Sequence, residues 1–155
     1  MSDWLIQLLT AFTGSLGFAV LFNVQSSRLF WAGLGGMLGW AAYLVLKSFL
    51  GSEVLGFFLG AICFTLYSDL LARLKKTPAT VFLVPAAIPM VPGASLYRAM
   101  SFIIKGQWIA FPAQILYTLF LASAIAGGIV CGMTIIHITQ IAFNRIHKSR
   151  SKDGC

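Results

Sequence analysis

Polar residues in this chain fall in short clusters that separate long apolar runs. Residues 4–22, 29–46, 54–71, 80–104 and 112–140 are each predominantly apolar and reach the roughly 17–25 residues that a helix needs to cross a bilayer. Five transmembrane helices are therefore predicted, in an all-α integral membrane protein. The connectors 23–28, 47–53, 72–79 and 105–111 are too short to hide a soluble domain, and Glu53 is expected in a loop. The fifth run exceeds the hydrocarbon thickness, so its end, from His137 through Lys148, is expected to emerge as a cytoplasmic helical turn or two. This gives one five-span domain over residues 1–144 and a basic, frayed tail over 145–155. The first run lacks a basic segment before it and is expected to stay in the protein as a span.

The fourth run differs from the others. Pro85, Pro89, Pro92 and Gly93 interrupt it, and proline both lacks an N–H and clashes with the preceding turn. The carbonyls of Val81, Pro85 and Ile88 are expected to lose their usual helical donors. A second half-helix from Ala94 to Ile104 would start with unpartnered N–H groups near Gly93, Ala94 and Ser95, carrying partial positive charge. Such an end suits a carboxylate, and freed carbonyls suit a cation or water. Broken membrane helices survive where they are buried or line a cavity, and transporters place substrate sites there. The competing reading is a proline-kinked structural helix whose freed groups are satisfied by neighbouring Ser or Thr.

Composition agrees with the spans. Of 155 residues, 59% are hydrophobic and 10% charged, against roughly 25% charged in soluble domains. The net charge of +7 does not indicate nucleic acid, because the basic residues lie between and after the spans rather than on one face. With five spans, one side would hold eight Lys and Arg: Arg28, Arg73, Lys75, Lys76, Arg145, Lys148, Arg150 and Lys152. The positive-inside rule then predicts the N-terminus outside and the C-terminus in the cytoplasm. Cys63 and Cys131 fall inside spans and Cys155 at the end, a pattern that implies no disulfide framework.

Other candidates each have a plainer alternative. Arg98 could pair with an anionic substrate, but it lies close enough to the span end to extend its guanidinium to the interface, which is favoured. Tyr97 is either a ligand contact or a member of the interfacial aromatic belt. Asp69 is an intramembrane acid and so a functional candidate. Arg73, one turn on, makes an interfacial ion pair the simpler account. Gly35 and Gly39, Gly56 and Gly60, and Gly128 and Gly132 have the spacing that lets helices approach closely, within the chain or towards other subunits. His137 and His147 have no neighbours at metal-ligand spacing, so no metal is expected. No catalytic triad, phosphate loop or acidic pair appears, so neither an enzyme nor a cofactor is expected.

The run Thr80-Val-Phe-Leu-Val-Pro-Ala-Ala-Ile-Pro-Met-Val-Pro-Gly-Ala-Ser-Leu-Tyr-Arg-Ala-Met100 resembles the central motif of the threonine/serine exporter family. The run Gly17-Phe-Ala-Val-Leu-Phe-Asn-Val24 is also similar, as are the length and span count. The resemblance is to the separate small subunit of the family's two-subunit form. It implies Pro85, Pro89, Pro92, Gly93, Ser95 and Tyr97 as motif positions, with Asn23 from the first run. Arg98 is not part of that pattern.

The resemblance further implies efflux of threonine and serine, or of succinate in two-subunit members, together with a larger membrane subunit in a bacterial inner membrane. On this reading Pro89, Pro92, Gly93, Ala94, Ser95 and Tyr97 form the substrate site, with Asn23, Asp69 and Arg98 as possible additions. Alternating access would arise by rocking against the larger half. Two rivals remain: a homo-oligomeric pore, and a non-transporting assembly or regulatory subunit.

Overall fold

Uninterrupted apolar sequence gives four long helices: α1 (Ser2–Leu21), α2 (Ser26–Leu50), α3 (Glu53–Lys75) and α6 (Phe111–Arg150). Pro112 sits in the first turn of α6, where a missing N–H costs no helical bond. Between α3 and α6 lie α4 (Thr80–Ala87), a single 3-10 turn at Ile88–Met90, and α5 (Gly93–Ile104). The two halves are bent by 47° at the break. Four helices are long and apolar enough to cross a membrane, and the bent pair makes a fifth span if taken as one. The computed structural model describes residues 2–150, with side chains described for 3–142.

The turns follow local rules. At the end of α1, the Val24 N–H bonds the Ala19 carbonyl and the Asn23 N–H bonds the Val20 carbonyl. Asn23 itself is left-handed (φ 54°). This is the closing motif of many helices, and it requires a residue that tolerates positive φ. α2 ends at Gly51, also left-handed, and Ser52 accepts the Leu55 N–H at the start of α3.

This two-residue turn corrects the expectation that Glu53 lies in a loop. Glu53 is the first residue of α3, where the helix dipole favours an acid. Its carboxylate accepts from the Tyr43 hydroxyl and from Lys47 Nζ, both at 2.9 Å, and from the Tyr117 hydroxyl of α6. One acid thereby ties together the ends of α2, α3 and α6.

α3 is central, packed by α2 and α6; α2 also meets α1, and α4 lies over α1, α2 and α3. α5 packs mainly on α6. All three glycine pairs are used inside the chain. A Cβ at Gly35 would meet Ala86 Cβ at 3.1 Å, one at Gly39 would meet Phe64 at 3.1 Å, and one at Gly56 would meet Tyr43 at 3.2 Å. Gly60 faces Met90, Gly128 faces Phe58 and Ala61, and Gly132 faces Thr65. Small residues let these backbones approach, and the core fills with a few large side chains, chiefly Phe64, Phe82 and Met90. Large apolar residues such as Leu9, Phe49 and Leu119 point outward, as a surface solvated by lipid tails allows.

Lys75 Nζ lies 5.3 Å from the centre of the Trp31 ring, which puts the start of α2 and the end of α3 at one end of the bundle. The helix α6 has 40 residues, about 60 Å at the standard rise and thus about twice the hydrocarbon thickness. It runs on without interruption across the expected boundary at 144–145. The side chains expected in the basic tail, including Arg145, His147 and Lys148, lie outside those described, and Lys152 and Cys155 lie outside the described residues altogether.

Candidate functional site

The break in the fourth span is built from its prolines. Pro89 has no N–H to return to the Pro85 carbonyl, so α4 stops at Ala87 and the chain tightens into the 3-10 turn. Val91, preceding Pro92, is extended (φ −60°, ψ 125°), as residues before proline tend to be. The α5 helix then restarts at Gly93.

The freed carbonyls are only partly as expected. The Pro85 carbonyl accepts the Ile88 N–H and the Ser15 hydroxyl of α1, the latter at 2.9 Å with both residues fully buried. The Ile88 carbonyl accepts the Val91 N–H at 3.1 Å. These two oxygens are therefore satisfied within the protein, by a neighbouring serine and by tightened turns, and are not free to hold a cation. At the start of α5, Gly93 N–H reaches the Val91 carbonyl at 2.7 Å and Leu96 N–H the Pro92 carbonyl at 3.1 Å. Among the described residues, the Ala94 and Ser95 N–H groups have no backbone partner.

The expected site residues separate into groups. Pro89 and Pro92 are half-buried at the break, while Gly93 and Ala94 are exposed. A Cβ added at Gly93 would meet nothing within 4 Å. The Ser95 side chain is buried and turned towards α6: its Oγ lies 2.8 Å from Thr118 Oγ1 and accepts from Gln114 Nε2 at 2.9 Å. Tyr97 is 75% exposed and Arg98 is also exposed, both on the outer face of α5. Asp69 lies away from the break, paired with Arg73.

Two grooves flank the broken span along its seam with α1. One, of about 250 Å³, is lined by Gln7, Thr10 and Gly14 of α1, Trp40 of α2, and Ile88 and Pro89. Gln7 Oε1 accepts the Trp40 indole N–H at 3.2 Å. The other, of about 400 Å³, is lined by Asn23, Gln25, Arg28, Thr80, Val81 and Pro85. It joins the end of the Gly17–Val24 run to the start of the proline-rich run. Along α1, Ser15 lies between the two grooves, and its partner Pro85 borders the second.

Sequence reasoning missed Ser15, Gln7, Trp40, Gln114 and Thr118. Gln7 and Gln114 carried a usable signal, since an amide inside an apolar run needs a partner. Ser15 carried none, because which hydroxyl crosses to another helix depends on packing.

A multi-pass helical bundle with lipid-facing outer walls and a proline-broken span with groove-lined flanks has the architecture of a membrane transporter. No solved structure matches the chain. The family model described as "Threonine/Serine exporter, ThrE" matches residues 7–136. The chain therefore belongs to the threonine/serine exporter family, whose members are transporters.

Proposed function

We propose that this chain is the small subunit of a two-component exporter of small carboxylates, threonine and serine or succinate, in a bacterial inner membrane. The observation that carries the reading is the first turn of α5. Ala94 and Ser95 present N–H groups without backbone partners, and the space beside Gly93 is open. A helix end of this kind is suited to a carboxylate. Because Gly93 and Ala94 are exposed in this chain alone, the site is completed by the larger membrane subunit. Tyr97 and Arg98, also exposed on α5, face that partner. The N-terminus is outside and the basic end is cytoplasmic, so cargo arrives past Arg28. Rocking of the two halves opens the site to one side and then the other.

Efflux of preloaded, labelled threonine and succinate tests the site, with membrane insertion measured in parallel. Gly93→Phe places a ring over the first turn of α5 and should abolish efflux, while Gly93→Ala should retain it. Both proteins should insert normally. Undiminished efflux in Gly93→Phe would contradict the site.

A further inference from the structure

The groove of about 400 Å³ between α1 and α4 lies at the basic end of the bundle, and its lining changes character with depth. Asn23 and Gln25 come from the turn between α1 and α2, Arg28 from the first turn of α2, and Thr80 is the first residue of α4. Val81, Val84 and Pro85 of α4 line the inner part, Val84 lying about 6 Å beyond Thr80 at the standard rise. The groove is thus polar at its mouth and apolar one turn further in. Val84 is 40% exposed, so the apolar part is open to the outer surface, which lipid tails cover.

The fold leaves the polar side chains at the mouth unused. Among the described residues, the side chains of Asn23, Gln25, Arg28 and Thr80 make no hydrogen bond or ion pair. Further along α1 the polar side chains are partnered: Ser15 bonds the Pro85 carbonyl and Gln7 the Trp40 indole. Charge is unbalanced at this end as well. Arg28, Arg73, Lys75 and Lys76 stand against one acid, Asp69, which is taken by Arg73. Trp31, three residues from Arg28 and so on the same face of α2, carries Lys75 Nζ over its ring and is 37% exposed. A partly exposed tryptophan beside basic residues marks the headgroup level of a bilayer. The mouth of the groove therefore lies at the depth of lipid phosphates and carries excess positive charge.

We propose that this groove holds one anionic phospholipid, with its phosphate on Arg28 and the upper part of an acyl chain against Val81, Val84 and Pro85. The planar guanidinium can give two parallel hydrogen bonds to phosphate oxygens. Basic pockets between membrane helices bind lipid headgroups in this way. The amides of Asn23 and Gln25 and the Thr80 hydroxyl serve the remaining headgroup oxygens and hydroxyls. The apolar inner wall favours an amphiphile over a free phosphate ion, which would leave that wall uncovered. The charge favours an anionic headgroup over a zwitterionic one, whose own cation would add to the positive charge already present. The binding depends neither on the exporter reading nor on which way the chain faces.

The test uses the full-length chain in phosphatidylcholine nanodiscs with and without phosphatidylglycerol. Native mass spectrometry of the released chain counts retained lipid. The thermal midpoint is followed in the same discs, because a ligand bound only to the folded state raises it with concentration. One phosphatidylglycerol should be retained per chain, and the midpoint should rise. Arg28→Gln should lower the apparent affinity about fivefold, the effect of one basic residue at an anionic membrane surface. Val84→Trp, which fills the inner part without changing charge, should also displace the lipid. Lys76→Gln, which removes a charge at the same end but outside the groove, should leave retention nearly unchanged.

Equal losses in Arg28→Gln and Lys76→Gln would mean diffuse attraction to surface charge and would overturn the proposal. So would an equal rise in midpoint with inorganic phosphate or with the chain-free headgroup glycerophosphoglycerol, which would make this an ion site. Equal retention of phosphatidylcholine would do the same, as would a dimer without retained lipid, which would give the groove to a second copy of the chain. The comparison of lipids on the unmutated chain decides the matter even if a variant fails to fold.

Discussion

Ser15 shows how one hydroxyl settles the local chemistry of the break. It is fully buried and donates to the carbonyl that Pro89 leaves without a helical donor. Ser15→Ala should therefore destabilise the protein by about 0.5–1.5 kcal/mol, the net worth of one hydrogen bond, because the Ile88 N–H still serves the Pro85 carbonyl; the loss is readable as a lower unfolding midpoint in nanodiscs. Gly36 backs this contact: a Cβ there would overlap Ser15 Oγ and lie 3.1 Å from Pro89 Cγ. Asn23 was legible only as a position in a familiar run, and the structure supplies its physical reason. It holds a left-handed conformation that closes α1. Asn23→Gly should be nearly neutral in stability, and Asn23→Val should cost about 1–2 kcal/mol, the penalty for that conformation. Equal midpoints for the two variants would contradict this account.

At the scale of elements, the proline rule located the break in the sequence but not the fate of its carbonyls. Which groups satisfy them depends on α1 lying against α4, and no local spacing encodes that. Pro89→Leu restores an N–H opposite the Pro85 carbonyl, in competition with Ser15. The 47° bend should relax and efflux should fall, while insertion is kept; a spin-label distance across the break reads the bend directly. Glu53 was misplaced because a connector of residues 47–53 looked like a loop, whereas Gly51 and Ser52 alone make the turn. Its bond to Tyr117 joins α3 to α6. A double-mutant cycle of Glu53→Gln with Tyr117→Phe should give a coupling of about 1.5–3 kcal/mol, as for hydrogen bonds to charged groups. Zero coupling would show that the tie contributes nothing.

For the whole molecule, the class was legible early, because lipid-length apolar runs and few charges leave little alternative. The glycine pairs were also legible as close contacts, but not as to which helices they join. In the fold they are used between α2, α3, α4 and α6, so the proposed larger subunit would dock elsewhere, on the outer face of α5. The proposed orientation across the membrane rests on the positive-inside rule applied to the basic connectors at the Arg28 and Arg73 end. Substrate choice was not legible, since threonine, serine and succinate all offer a carboxylate.

As the proposed small half of an exporter, this chain should move small carboxylates only together with a larger membrane subunit of its family. The most direct measurement is efflux of preloaded, labelled threonine and succinate from cells making this chain alone, the larger subunit alone, or both, with insertion of each chain verified. Saturable efflux is expected only when both chains are present. Efflux from this chain alone, without saturation, would contradict it and indicate a pore.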